Sequence, residues 1–433
     1  MIAPGPRGTF LLGSLPDAQR DPIGMFQRAF NDYGDVVRLR FGYLTAHLIS
    51  SPAGVNQVLA ENNKNYGKQT RGFKNLRRVM GNGLLTAEGE FWKKQRRLAQ
   101  PAFHRQKIAG FAESMLRAAG RCAERLAAVR EPVDVAAEMM RVTLEIVGET
   151  LLGTQVAGDA DRVQGVVGDL LRSANERMTR FIDLPPPLPT RSNLRLRGWL
   201  RVLDEIVLRI IAERRKAPGD DLISMLLAAR DEETGQTMTD AQLRDEAMTI
   251  FLAGHETTAN TLTWTWLLLS RYPAAARALR AELGSTPITA ADLPRLPLLK
   301  MIIEESMRLY PPAWVIARSA TGADEIDGYE IPAGSLVFVS PYIVHRSPRL
   351  WRDPEGFDPQ RFAEAPPRGA YFPFGGGPRQ CIGNGFAMME AQLVLATLAQ
   401  KFALELVPGH PVALEPSITL RPRHGMRMAV RPA

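Results

Sequence analysis

Apolar residues recur at intervals of three and four through MLRAAGRCAERLAAV and EMMRVTLEIVGETLL. That spacing puts them on one face of a helix. The pattern is mainly helical from about Gln106 to Leu269, with the proline-rich LPPPLP at 184–189 predicting a loop between two long helices. The clearest helix starts after Thr239, which forms a capping box with Gln242, and runs to Arg271 before Tyr272-Pro273. It would be roughly 48 Å long at ~1.5 Å per residue. It is apolar nearly all round, so it should cross the protein's centre.

The flanking thirds mix elements. VVRLRFG and TAHLIS alternate as two strands joined by a short turn, and Ser51-Pro52 opens a helix with proline at its first position. Thr86–Gln100 reads as a helix with Trp92 and Arg96 four apart, on one face. Towards the C-terminus, a helix at Leu296–Tyr310 is stopped by Pro311-Pro312. Short strands in GYEIPAGSLVFVS, an irregular stretch from Pro348 to Pro373, a helix Ile382–Phe402 and a strand in MRMAV complete the chain. The expected class is mainly α with small β-sheets.

Composition narrows the function. At 433 residues the length would suit two or three domains, but the motif order described below predicts one. No apolar run is long enough for a secretory segment or a membrane span, because Ala247–Leu269, the most apolar stretch, is broken by His255, Glu256 and several threonines. A soluble, cytoplasmic monomer is expected. The two cysteines, Cys122 and Cys381, form no disulfide framework and suit a reducing compartment. The net charge of +8 is scattered, without a basic tail or a nucleic-acid motif. It leaves a solvated surface or an acidic protein partner as readings.

The candidate chemistry centres on Cys381. Cys122 sits in a helical repeat and reads as a small buried hydrophobe. Cys381 instead ends the loop Phe374-Gly-Gly-Gly-Pro-Arg-Gln-Cys and precedes an apolar helix. A helix N-terminus stabilises a thiolate. Gly377 and Gly383 permit close backbone approach to a flat ligand, Arg379 could pair with a carboxylate, and Phe374 could shield the sulfur. No second Cys or His stands at zinc-ligand spacing, and no cysteine-protease signature surrounds the residue.

The pattern F-x-x-G-x-R-x-C-x-G over Phe374–Gly383 resembles the haem-binding loop of the cytochrome P450 family, and further motifs in order extend the resemblance over nearly the whole chain. Glu305-Ser-Met-Arg308 and the later Phe357-Asp-Pro-Gln-Arg361-Phe362 resemble the family's E-x-x-R and second arginine motifs, implying a buried Glu305–Arg308–Arg361 network. Ala253-Gly-His-Glu-Thr-Thr258 resembles its oxygen-activation motif, with Gly254 and a threonine hydroxyl expected to open the long helix locally. His255 reads as incidental. Trp92-x-x-x-Arg96 and Arg318, with Arg379, match the family's haem-propionate contacts.

The resemblance implies one cytochrome P450 haem domain over 1–433 with no fused reductase, its haem between the long helix and the Cys loop with the final helix. Haem b (iron protoporphyrin IX) would be ligated by Cys381, with Glu256 and Thr257 delivering protons while O2 is activated. NAD(P)H electrons would come through a separate ferredoxin or flavodoxin with its reductase. An acidic ferredoxin could dock at Lys93, Lys94 and Arg97. A peroxide-driven peroxygenase or isomerase usually lacks the acid–alcohol pair, and a haem-binding sensor would want an output domain, so a monooxygenase is the favoured expectation. By position in the family, residues 73–85, Phe251–Leu252, Val315–Ile316 and Ser417–Thr419 would line the pocket. They are largely apolar, so an apolar substrate is expected, a terpenoid or related natural product before a fatty acid or steroid.

Overall fold

The helix read from the Thr239–Gln242 pair forms at Asp240–Arg271, 32 residues long. The Thr239 hydroxyl accepts from the Gln242 N–H, and the Gln242 side chain accepts from the Thr239 N–H at 2.7 Å, so two otherwise orphaned donors are satisfied. The computed structural model describes residues 1–151, 153, 165–166, 168–170, 172–173, 176–177 and 188–433. Most of the proline-rich stretch at 184–189 lies outside the described residues.

The chain divides into two compact units. One comprises Met1–Lys74, Glu304–Cys381 and Ile418–Arg421. Its five-stranded sheet is ordered Val36–Phe41, Leu44–Ile49, Leu336–Val339, Ile316–Ala320 and Tyr66–Gly67. The first two strands form the expected hairpin, with Val36 opposite Ile49 and Phe41 opposite Leu44. Leu44–Ile49 then runs parallel to Leu336–Val339, a pairing between strands almost 300 residues apart that no local pattern announces. The apolar side chains of this sheet, Ile49, Val337 and Val339 among them, pack with Val55, Val58 and Leu59 into a core. Ser51 caps the helix Pro52–Asn56 by accepting from Gly54, and the following turn Gln57–Glu61 widens to a π-helix.

The other unit, Asn75–Ile303 with Ile382–Ser417 and Pro422–Ala433, is mainly helical. Here the long helix packs against Val135–Leu151, Arg191–Lys216, Asn384–Ala399 and the strand Phe402–Leu406. Its buried residues include Leu243, Phe251, Leu262, Trp264 and Leu268, spread around the axis as an all-round apolar helix requires. The tail strand Arg427–Pro432 pairs antiparallel with Phe402–Leu406.

Several boundaries move. Much of residues 73–85, read as a loop, belongs to the helix Arg71–Met80. The next helix begins at Gly89, not Thr86, because the Thr86 hydroxyl donates back to the Gly81 carbonyl at 2.7 Å and keeps this segment a turn. The final helix is Asn384–Ala399, and Phe402 opens a strand. No described helix is long and apolar enough to cross a membrane.

Candidate functional site

Glycine geometry shapes the loop around Cys381. Gly375 and Gly377 have φ of 71° and 62°, a region costly for residues with a Cβ. A Cβ on Gly377 would also collide with the Leu59 carbonyl oxygen and lie 2.8 Å from Ala60 Cα. Gly377 therefore lets the loop seat on the Gln57–Glu61 turn, a protein-packing reason the sequence reading did not supply. Gly383 has an ordinary φ of −90°. The Cys381 N–H donates to the Phe374 carbonyl at 2.9 Å and closes the loop around the short 3₁₀ turn Gly377–Arg379. The Cys381 side chain is exposed, whereas Cys122 is buried and its thiol is pushed up to about 12, chiefly by burial. Of the two sulfurs, Cys381 is the one placed to meet a ligand.

Gly377→Ala should therefore lower stability by about 1–3 kcal/mol from backbone strain alone. Urea unfolding measures this, and an unchanged midpoint would mean the loop is not held against Leu59.

Arg318 lies buried on the strand Ile316–Ala320, with Nη1 donating to the Ala317 carbonyl at 2.9 Å. A Cβ built on Gly375 would sit 3.7 Å from Ile316 Cδ1, so this strand borders the Cys381 loop. Phe374, Gly377, Arg379, Cys381 and Arg318 thus belong to one neighbourhood.

In the same unit the expected ion network is present, with Glu305 and Arg308 completely buried and Arg361 partly so. Arg308 donates Nε to Glu305 Oε2 at 2.6 Å and Nη2 to Oε1 at 2.8 Å. Its remaining donors reach the carbonyls of His345, Pro354 and Gly356 at 2.6–2.8 Å. Glu305 Oε1 also accepts from Arg361 Nε at 3.3 Å and from the Asp358 N–H at 2.9 Å. His345, held neutral by burial, accepts the Phe372 N–H on Nε2 at 3.0 Å. Two residues from Phe374, this bond ties the network's chain segment to the start of the Cys loop.

The second unit carries the remaining candidates. Trp92 and Arg96 are half-buried on the helix Gly89–Ala99, four apart as expected. Arg97 is committed internally. It pairs with the fully buried Asp231 carboxylate at 3.0 Å and with Glu233 at 2.9 Å. Lys93 pairs with Glu90 at 2.6 Å, and Lys94 bonds Gln236. Within the expected docking cluster, Arg97 therefore also neutralises a buried carboxylate where it sits, while its side chain stays 40% exposed.

On the long helix Glu256 is buried and Thr257 half-buried. Thr257 Oγ1 donates to the Ala253 carbonyl at 2.8 Å, and the Thr257 carbonyl accepts from the Thr261 hydroxyl at 3.0 Å. The expected back-bond forms within a helix that runs without a break from Asp240 to Arg271. Gly254 has another reason: a Cβ there would stand 3.3 Å from Val147 Cγ2, where the helix Val135–Leu151 packs close. His255 is a satisfied core histidine, its Nδ1 2.8 Å from the Phe251 carbonyl, with burial lowering its basicity.

Among the described residues, two buried acids whose carboxyls are pushed up escaped the sequence reading. Glu390 on the final helix has its carboxyl pushed well above the usual range by burial, partly offset by Thr258. Glu246 on the long helix is pushed up to about 7, first by burial. The signal for Glu390 was a single carboxylate within an apolar helical stretch, whereas Glu246 follows Arg244 and Asp245 and stood out only by its packing.

The model of the family described as Cytochrome P450 matches residues 3–426. The chain is 38% identical to cyclooctatin synthase of Streptomyces melanosporofaciens, over 97% of this chain and 93% of that one. It is 34% identical to pentalenene oxygenase of Streptomyces avermitilis, over 94% and 95%. The crystal structure of the cytochrome P450DA haem domain matches with a TM-score of 0.91 at 27% identity, covering 100% of this chain and 97% of that one. A cysteine presented by a glycine-shaped loop, the buried Glu305–Arg308–Arg361 network, a long helix carrying Glu256–Thr257 and these matches together establish that the chain belongs to the cytochrome P450 family of haem-thiolate monooxygenases.

Proposed function

We propose that the protein oxygenates an apolar terpenoid or related natural product, using haem b ligated by Cys381 and electrons from a separate ferredoxin or flavodoxin. The observation that carries the ligand assignment is the exposed Cys381 side chain on a loop fixed at both ends, by the Phe374 carbonyl and by the seat of Gly377 on Leu59. Within the first unit the donors fit the group: the accessible Cys381 sulfur, with Arg318 and Arg379 suited to a propionate and Phe374 to the bed of the ring. By the family resemblance, Trp92, Arg96 and Gly383 of the other unit would take the remaining haem contacts. The chemistry supplied by bound haem is reductive activation of O2 and transfer of one oxygen atom to a C–H or C=C bond.

The chain's own residues handle protons and water. Because the Thr257 proton is engaged by the Ala253 carbonyl, its oxygen is oriented to accept a hydrogen bond from water. Glu256, beside it and buried, is the group we assign to relaying protons inward. The neutral His255 keeps no competing charge at that point.

The substrate class rests on the apolar character of the positions that the family resemblance makes candidates, Leu85, Phe251 and Leu252 in one unit and Val315 and Ile316 in the other. It is supported by relatives named for cyclooctatin, cyclooctat-9-en-7-ol and pentalenene. The whole-chain reading as a single haem domain belongs to the same proposal. Incubation with labelled dioxygen, a ferredoxin system and a panel of polycyclic terpenoids and fatty acids tests it. Incorporation of one labelled atom into a terpenoid is expected, and exclusive turnover of fatty acids would overturn the substrate class.

Thr257→Ala should still bind haem and consume reductant, releasing peroxide in place of most of the oxygenated product. The ratio of product to reductant measures this, and full coupling would contradict the role given to Thr257.

A further inference from the structure

The segment between the helices Arg71–Met80 and Gly89–Ala99 is pinned to the long helix by two consecutive carboxylates. Asp245 Oδ2 accepts from the Asn82 N–H at 2.7 Å, and Glu246 Oε2 accepts from the buried Leu84 N–H at 3.0 Å. Glycines make this approach feasible. A Cβ on Gly81, whose φ is 74°, would collide with the Asp245 carboxylate, and one on Gly83 would come within 2.6 Å of the Asp245 carbonyl oxygen and against Thr249 Oγ1. The turn is also tied to itself. Thr86 Oγ1 donates to the Gly81 carbonyl at 2.7 Å, and Arg77 Nη2 donates to the Thr86 carbonyl at 2.7 Å. Arg244 orients the first carboxylate, donating to Asp245 at 2.9 Å and to Asp204 on the helix Arg191–Lys216 at 2.7 Å.

The position of this clamp gives it meaning. Glu246, Thr249, Ala253 and Thr257 follow one another at spacings of three, four and four, so they share one stripe of the helix. The turn covers the N-terminal end of that stripe. Thr249, which it touches, lies eight residues or about 12 Å along the axis from Thr257. Ala253 and Thr257 between and beyond are only half-buried. A molecule lying along the stripe with its reacting carbon at Thr257 meets the turn at its far end.

We propose that Asp245 and Glu246 form a latch holding the turn Gly81–Ala87 closed over the long helix, and that the closed turn is a length gauge admitting compact polycyclic substrates and rejecting longer ones. The gauge rests on the function proposed above. The latch itself does not, since it is a property of the folded chain. These are positioning residues, acting through the turn.

Proton binding at Glu246 should modulate the latch. Burial and the like charge of Asp245 raise its carboxyl to about 7, against the opposing Leu84 N–H. Among the described residues, the charged groups around it are Arg244 and Asp245 on its own helix, Asp204 across Arg244, and Arg77 beneath the turn. Asp245 is the one that bears on its protonation. A carboxyl raised in the closed form favours closure most at low pH. That preference declines as pH climbs from the ordinary value near 4.5 to about 7, then levels off. Opening should rise about tenfold between about pH 6 and pH 8 by this linkage.

The test uses the purified full-length protein and hydrogen exchange of the Asn82 and Leu84 amides, corrected for intrinsic rates. Asp245→Ala should speed exchange at least tenfold and shift kcat/KM several-fold towards a long-chain fatty acid relative to a compact terpenoid. Asp245→Asn, which keeps the shape, should fall between. Glu246→Gln should exchange like wild type near pH 6 and lose the rise towards pH 8. Unchanged exchange in both Asp245 variants, or a pH response persisting in Glu246→Gln, overturns the latch. Faster exchange with unaltered size preference overturns the gauge. Exchange needs no turnover, so failure of the oxygenase reading is distinguishable from failure of the latch.

Discussion

Replacing Cys381 by serine is expected to give a folded protein whose reduced carbon monoxide complex lacks the red-shifted thiolate Soret band and whose oxygenation falls below detection. The substitution should leave the fold intact, because the side chain is exposed and the loop is closed by the residue's backbone N–H on the Phe374 carbonyl. A serine hydroxyl stays protonated where a thiol ionises, so the electron-rich axial ligand that favours O–O cleavage is lost. Cys122→Ser is the matched control. Its thiol is buried and held neutral, so it cannot serve as a ligand. That variant should keep the spectrum while losing about 1–3 kcal/mol of stability from an added buried hydroxyl. A red-shifted band surviving in Cys381→Ser, or vanishing in a folded Cys122→Ser, would refute the assignment.

Arg308→Ala carries the largest expected stability effect. It removes five hydrogen bonds made by a fully buried side chain, leaving the Glu305 carboxylate and the carbonyls of His345, Pro354 and Gly356 without this partner. Breaking one side of a buried ion pair costs about 3–5 kcal/mol. Glu305→Gln should be milder, because the amide oxygen can still accept from Asp358 while the charge facing two arginines disappears. Since the same segment holds Phe372 through His345, haem retention should fall along with the unfolding midpoint. Both variants within about 1 kcal/mol of wild type would show that Arg361 and the local backbone hold this region without the pair.

Elements governed by neighbours in the chain were legible. The capping box at Thr239, the hairpin Val36–Ile49 and the proline stop after Leu309 each depend on groups a few residues apart. Boundaries slipped, as at Gly89, where a Thr86 side chain reached back to Gly81 and kept the turn from becoming helix, and the helix Arg71–Met80 went unread. The Cys381 loop was legible for a different reason. A glycine-rich segment presenting cysteine and arginine has no role in a core, so its composition pointed to a ligand.

Reasons for individual residues were harder to read. Gly254 was read as opening the long helix and Gly377 as giving a flat ligand access, and the packing of another part of the chain against each, Val147 in one case and Leu59 in the other, was not legible. Nor could the sequence show that Arg97 pairs with Asp231, more than a hundred residues away and buried beside it.

By itself the sequence determined the mainly helical class, the family and the position of the sulfur, since these rest on local spacing and on residue types that have one sensible use together. Tertiary structure alone decided which charges are neutralised, which carboxyls are pushed up by burial and where the turn Gly81–Ala87 is held. Desolvation and long-range hydrogen bonding depend on what is packed against a group, and that information is not carried by its neighbours in the chain.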